Sequence, residues 1–350
     1  MLATRAIYAN LKLGIKPMHK PAVIPTPVLL LDRQTVNSVL SLNDCIAAVE
    51  SAFGAHELGH SLRSELMHVD ADGGEFHIKA GGLRCGRTYF ACKINGGFFD
   101  NKVKFGLPNI SGLILLCDAT QGTPLAVMES GLLTRLRTGA ATAVAAKYLA
   151  KRSSRTLTIC GAGLQAEIQL RSLAHMFQLD RVFVWTRCDA GAFAERMSQQ
   201  LNLDVRPVRD LETAGLQSEI IVTCTPAKHW FLGRQHVAPG TFIAAVGADS
   251  PDKQELEPEL LAASSVVCDL TGQCERVGEL HHAISAGLMT AADVSAELGA
   301  VVLGLAQQIR RDGDIIIFDS TGTALQDVAA AAVVYENAVA LGRGTAFAFW

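Results

Sequence analysis

The residues best suited to chemistry begin with Gly161-Ala162-Gly163-Leu164-Gln165-Ala166, which directly follows the apolar run Leu157 to Cys160. A strand, a glycine turn and a helix start in that order suit a dinucleotide pyrophosphate. Gly161 permits the sharp turn, Gly163 lets backbone approach phosphate, and Ala166 allows close helix–strand packing. The helix N-terminus presents unpaired N–H groups. A second stretch is Trp185-Thr186-Arg187, at the end of the next apolar run. A carboxylate there would take the ribose 2′-hydroxyl of NAD(H) and repel a 2′-phosphate. Here a hydroxyl and a guanidinium stand instead, so NADP(H) is favoured over NAD(H). A third candidate is Asp249, just past the apolar run Phe242 to Val246. Open α/β sheets bind ligands at the C-terminal ends of their strands, and a carboxylate there can handle a proton at a substrate nitrogen. Asp319-Ser320-Thr321-Gly322 follows an apolar run in the same way and offers a shelf of backbone and hydroxyl groups.

These residues need a scaffold, and the pattern supplies one. Arg181–Thr186, Glu219–Thr225, Phe242–Gly247, Val266–Leu270 and Ile315–Asp319 read as strands, with helices at Glu167–Met176 and Ala190–Leu201. Such alternation predicts a parallel sheet covered on both faces. Ahead of it, Asn43–His60 has helical apolar spacing with Asn43 as N-cap. Short β-like runs follow at Ser64–Asp70, Glu75–Ala80, Thr88–Asn95, Leu113–Asp118 and Leu125–Met128. Asp72-Gly73-Gly74 and Asp118 to Pro124 mark turns. Gly139–Leu149 is an alanine-rich helix feeding the first parallel strand, and Ala324–Leu341 is a long helix returning to the first domain. The fold class is therefore α/β: a doubly wound parallel sheet plus a mixed α+β domain.

Composition narrows the function classes. The chain has 350 residues, 49% hydrophobic and 19% charged, and a formal net charge of −3, so it carries no basic footprint for nucleic acid. No apolar run reaches membrane-spanning length. Nine cysteines without a CxxC pair point to a reducing cytoplasm. Ten histidines form no HExxH, and His281-His282 is adjacent rather than at ligand spacing, so no metal site is expected. Residues 1–20 carry Arg5, Lys12, Lys16 and Lys20 with no acid, which reads as an exposed basic extension; Pro21–Pro27 is a connector.

An ordered set of further residues resembles the ornithine cyclodeaminase/mu-crystallin family over nearly the whole chain. Arg63 precedes Glu75-Phe76-His77-Ile78-Lys79; then come Lys93 in CKING, Leu136-Arg137-Thr138 and the GAGLQA turn. Val246-Gly247-Ala248-Asp249 with Lys253, Gly278-Glu279, and Phe318 to Gly322 complete the set. The resemblance implies a Rossmann domain over 137–320 and a substrate-binding and dimerisation domain from 21–136 plus 321–350, with the active site between them. It implies a homodimer acting on a small imino or amino acid. It also implies that Arg63, Lys93 and Arg137 clamp the substrate carboxylate, with His77, Lys79 and Gly322 beside them. Lys93 and Asp249 carry the catalytic roles. Thr138, Thr223, Thr225, Val246, Gly247 and Ser320 join Gly161–Gln165, Thr186 and Arg187 around the cofactor.

The chemistry is consistent with that assignment. A carboxylate next to the reacting carbon calls for paired cations, ideally a guanidinium fork. Arg137 lies in the apolar, small-residue stretch LLTRLRTGAATA, where an unpaired charge is costly. Lys93 is flanked by Cys92 and Ile94, and His77 and Lys79 share one strand face. Family cyclodeaminases place a glutamate where His77 aligns, which suits a cationic substrate amine; histidine and lysine here point to a neutral or anionic substrate. The leading expectation is an NAD(P)H-dependent oxidoreductase interconverting an α-imino acid and an amino acid. A cyclodeaminase that recycles bound NAD+ comes second, and a mu-crystallin-like binder of small ligands third.

Overall fold

The computed structural model describes residues 27–306, 309 and 313–349. The basic extension at 1–20 and most of the connector lie outside them. The first sheet contains β1 (Val28–Leu31), β2 (Ser61–Ala71), β3 (Gly74–Cys85), β4 (Arg87–Gly97), β5 (Ile110–Asp118), β6 (Thr123–Glu129) and β15 (Thr345–Phe347), in the order β15-β1-β6-β5-β4-β3-β2. All its pairings are antiparallel except β1 with β6. Both expected turns form, each with a glycine at positive φ, Gly73 at 80° and Gly122 at 71°.

The second sheet is wholly parallel and contains β7 (Thr156–Cys160), β8 (Arg181–Trp185), β9 (Asp204–Val208), β10 (Ile220–Thr223), β11 (Phe242–Ala245), β12 (Ser265–Cys268), β13 (Ala296–Glu297) and β14 (Ile316–Asp319). Its order is β13-β12-β14-β11-β10-β7-β8-β9. The central strands β10, β11 and β14 are buried at every residue, as a sheet covered on both faces requires. Strand order reverses between β7 and β10, the crevice where doubly wound sheets bind ligands.

The helix Leu42–Glu57 is capped by Ser41 rather than Asn43: Ser41 Oγ accepts from Asp44 N at 3.1 Å and donates to the Asp44 carboxylate at 2.6 Å. The alanine-rich helix starts nine residues before Gly139, at Ser130, and runs to Leu149. Glu129 caps it by accepting from Gly131 N and Leu132 N. This helix joins the sheets, since the first ends its consecutive strands at Glu129 and the second begins at Thr156. The division expected at 136/137 falls inside it. Its buried alanines 140, 141, 143, 145 and 146 belong to one apolar core with Leu31 and Phe53 on one side and Leu157 and Ile159 on the other. Small side chains allow this close packing from both sides. The helix Ala324–Ala340 returns to lie on β3 and β4. Among the described residues no helix is long and apolar enough to cross a membrane.

Candidate active site

Two elements of the second sheet build a dinucleotide cradle. Gly161 has φ 128°, and a Cβ there would sit 3.1 Å from the Cys224 carbonyl oxygen and sulfur. Its N–H donates to Trp185 O at 2.8 Å, which ties the turn to β8. Gly163 opens the helix Leu164–Met176 in extended conformation, with no side chain capping the first turn. A Cβ on Gly163 would meet nothing within 4 Å, so backbone is bare toward the crevice. Leu164 is exposed, and the Gln165 Oε1 is buried without a hydrogen-bond partner. Free N–H groups beside a glycine turn fit a diphosphate. At the end of β8, Trp185 stacks on Phe231 at 4.9 Å between centroids. Thr186 Oγ1 accepts from Cys188 N at 3.4 Å. The exposed Asp189 accepts from Gly191 N at 3.0 Å, at the start of the next helix. Arg187 is exposed and pairs with no acid among the described residues.

Buried carboxylates shape the neighbouring loops, and of these sequence reasoning missed Glu255 and Asp269. Glu255 accepts from Thr225 N at 2.6 Å, Thr225 Oγ1 at 2.7 Å and Gly247 N at 2.8 Å. Thr225 is thus turned onto Glu255. Thr223 ends β10 beside it, and Val246 N donates to Thr223 O at 2.9 Å. Glu279 holds the Glu255 segment in turn, accepting from Glu255 N at 2.8 Å and Leu256 N at 3.2 Å. Burial pushes the Glu279 carboxyl well up, and the Glu255 and Asp319 charges add to it. Asp269 accepts from Gly322 N at 2.8 Å and Thr321 Oγ1 at 2.9 Å, fixing the loop after β14. Ser320 starts that loop and ties it to β11 through Ala245 O at 2.9 Å.

The first sheet and the two helices that cover it enclose a cluster of buried cations. Register opposes Lys79 on β3 to Lys93 on β4, with His77 opposite Asn95, so these side chains share one face. The helix Ala324–Ala340 lays Asp327 over that face, and the helix Ser130–Leu149 brings Arg137. Lys93 Nζ lies 2.9 Å and 2.7 Å from the two Asp327 oxygens. Arg137 Nε lies 2.9 Å from Asp327 Oδ1, and its Nη1 donates to Gln326 Oε1 at 2.7 Å. Lys79 Nζ donates to Thr321 O at 2.9 Å and Gly322 O at 2.6 Å. Gly322 adopts φ 73°, and a Cβ there would fall 2.6 Å from Arg137 Nη1, so only glycine fits. Burial pulls the Lys93 amine down to about 7, assisted by Arg137 and opposed by Asp327. Lys79 is lowered by burial and by Arg137. Asp327 stays below the ordinary carboxylate range because Arg137 and Lys93 outweigh its burial. Asp327 pairs with two of these three buried cations, which leaves positive charge for an anion to neutralise.

Asp249 follows β11 and faces this cluster. Lys253 Nζ lies 2.8 Å from Asp249 Oδ1 and 3.5 Å from Glu75 Oε1, and His77 Nε2 lies 3.0 Å from the same Glu75 oxygen. Burial raises the Asp249 carboxyl, yet Lys253, Lys79 and His77 together hold it far below the ordinary range, so it is ionised at neutral pH. Burial lowers the His77 imidazole, against the pull of Asp249 and Glu75.

The structure does not bring Arg63 to this cluster. Its side chain is 89% exposed and pairs with Glu65 at 2.6 Å, beside the register shift in β2 between Leu62 and Glu65. Spacing along the chain cannot reveal which way a bulged strand turns its side chains. Thr138, one residue past Arg137, donates its hydroxyl back to Thr134 O at 2.7 Å.

The ornithine cyclodeaminase/mu-crystallin family model matches residues 27–342. The alanine dehydrogenase of Archaeoglobus fulgidus is 34% identical over 92% of this chain and 98% of its own. The iminosuccinate reductase of Paracoccus denitrificans is 37% identical over 89% and 97%. The Thermococcus litoralis Δ1-pyrroline-2-carboxylate reductase, solved with NADH and L-proline, superposes with TM-score 0.86 at 30% identity over 91% and 99% of the chains. An archaeal alanine dehydrogenase dimer solved with bound NAD gives TM-score 0.86 at 34% identity over 92% and 99%.

Proposed function

The chain belongs to the ornithine cyclodeaminase/mu-crystallin family, and on that premise we propose that it is an NAD(P)H-dependent oxidoreductase interconverting an α-imino acid and an L-amino acid. The observation that carries this reading is the buried trio Lys79, Lys93 and Arg137, of which Asp327 pairs with Lys93 and Arg137. A nicotinamide supplies the hydride for the α-carbon when bound. The Arg137 fork and the Lys93 ammonium hold the substrate carboxylate and so fix the α-carbon in place. The ionised Asp249 faces the substrate nitrogen and stabilises its protonated iminium form, which makes the α-carbon more electrophilic. Lys79 holds Gly322 and Thr321 by their carbonyls, keeping the floor of the pocket in register with Arg137.

Cyclic and linear α-imino acids should oxidise NAD(P)H in equal amount. Ammonia release from ornithine without net NADH would assign the chain to the cyclodeaminase reaction instead. In the same assay NADPH is expected to bind tighter than NADH by about tenfold, the scale of one charge-assisted contact to the 2′-phosphate. Arg187→Ala should weaken NADPH and leave NADH nearly unchanged. NADH binding equal to or tighter than NADPH would reverse the preference; the related proteins named above were solved with NAD or NADH.

We also propose a homodimer built on the open face of the first sheet. Met67, Val69, Phe76, Ile94, Leu113 and Leu115 are exposed there, and the register makes them neighbours: Val69 opposes Phe76, and Ile94 opposes Leu113. A contiguous apolar sheet face of this kind needs a cover. Sedimentation should give a dimer, and Ile94→Asp should give monomers; a monomeric wild type at micromolar concentration refutes the interface. All nine cysteines are free, which favours a reducing cytoplasm.

A further inference from the structure

The β2–β3 hairpin carries a second constellation, at the lip of the cleft. His68 opposes His77 and Asp70 opposes Glu75, two cross-strand pairs separated by Val69–Phe76, so four potential ligands project from one face. We propose that these four residues bind a divalent transition-metal ion of the zinc class.

The geometry is close to what such an ion needs. The ligand atoms of His68, Glu75 and His77 lie within 4.8 Å of one another. His77 Nε2 is 3.0 Å from Glu75 Oε1, His68 Nε2 is 3.5 Å from Glu75 Oε2, and His68 Nε2 is 3.1 Å from Asp70 Oδ1. A tetrahedral ion with bonds of about 2.0–2.2 Å sets its ligand atoms about 3.3–3.6 Å apart. Small rotations suffice to admit it. The two rings meet edge to face at 4.6 Å, which leaves both Nε2 atoms directed toward the carboxylates. Two imidazoles and two carboxylates are borderline ligands that favour zinc, cobalt or nickel over calcium or magnesium. Charge balances too. Asp70 and Glu75 offset the two positive charges, while Lys253, 3.5 Å from Glu75, is shared with Asp249 at 2.8 Å. Asp70 is 93% exposed, so the ion enters from solvent.

The two histidines are nine residues apart and on different strands, which is why no ligand spacing shows in the chain. Only the hairpin register brings them together.

Occupancy has a consequence for turnover, and that part rests on the proposed function. An ion on Glu75 and His77 withdraws Glu75 from Lys253, which then turns its full charge on Asp249 and weakens the partner of the substrate nitrogen. The site therefore acts as an inhibitory switch.

The test uses tag-free, chelator-treated protein titrated with Co2+ and then with Zn2+. The expected result is one Co2+ per chain with tetrahedral visible bands that Zn2+ displaces. His68→Ala and His68→Gln should each weaken binding at least tenfold while leaving metal-free turnover unchanged. Saturating Zn2+ should slow the wild type reversibly and spare both variants. Non-saturating binding, octahedral Co2+ spectra, or His68 variants that bind like the wild type would overturn the site. Binding confirmed by spectrum with turnover unaffected would overturn the switch alone. Lack of imine reduction in metal-free protein bears only on the proposed function.

Discussion

Asp327→Ala is expected to lower the free energy of unfolding by about 3–5 kcal/mol, the cost typical of breaking a buried ion pair by removing one partner. Asp327 is the only carboxylate that Lys93 and Arg137 both reach among the described residues, at 2.7–2.9 Å, and all three side chains are buried. Removing it leaves Lys79, Lys93 and Arg137 to repel one another in low dielectric, with Arg137 tied only to Gln326. Asp327→Asn keeps the volume and one acceptor, so its loss should be smaller. A small carboxylate ligand should then recover more stability in either variant than in the wild type, because it replaces the missing charge. Chemical denaturation with and without such a ligand reads all of these. A wild-type midpoint for Asp327→Ala would mean that the cations are solvated and that no anion site exists between them.

The cofactor turn was legible because its parts are contiguous: β7, the turn and the helix Leu164–Met176 occupy one unbroken stretch. The core strands β10, β11 and β14 were legible for a related reason, since burial on both faces writes an uninterrupted apolar run. Edge strands write no such run. β9 reads Asp-Val-Arg-Pro-Val, with charges and a proline that only an edge tolerates, and β13 is two residues long; neither was expected. Buried acids were the larger gap. Glu255 lies in the charged stretch DKQELEPEL, which looks like a solvated surface, and Asp327 is one of two acids in an alanine-rich helix. Each is explained by what it meets from a distant segment, Thr225 and Gly247 for one, Lys93 and Arg137 for the other. Arg63 shows the converse. It was expected in the clamp, but exposure and its pairing with Glu65 set it apart, whereas Lys79 and Lys93 are held together by register.

That register sets up the pH dependence. In the free protein the Lys93 amine is pulled down to about 7, first by burial and then by Arg137 and Lys79, with Asp327 resisting. In an unfolded chain the same amine titrates near its ordinary value of about 10.4. Between those two values the unfolded chain binds a proton that the folded chain lacks, so this group makes stability rise with pH from about 7 upward. Function moves the other way. A substrate carboxylate beside Lys93 favours its charged form, so below about pH 7 the ammonium is already in place, and above it each binding event takes up a proton. Provided the neutral amine does not bind substrate, kcat/KM is expected to fall with a limiting slope of about tenfold per pH unit above 7, close to 100-fold by about pH 9. Asp249 adds no limb in this range, because Lys253, Lys79 and His77 keep it ionised well below neutrality. Lys93→Arg separates this group from any titration of the substrate itself: a guanidinium keeps its charge throughout, so the alkaline fall should vanish or move far upward. The measurement is kcat/KM across about pH 6 to 9 for both proteins at saturating cofactor. An identical alkaline limb in Lys93→Arg would place the titrating proton on the substrate and remove Lys93 from carboxylate recognition.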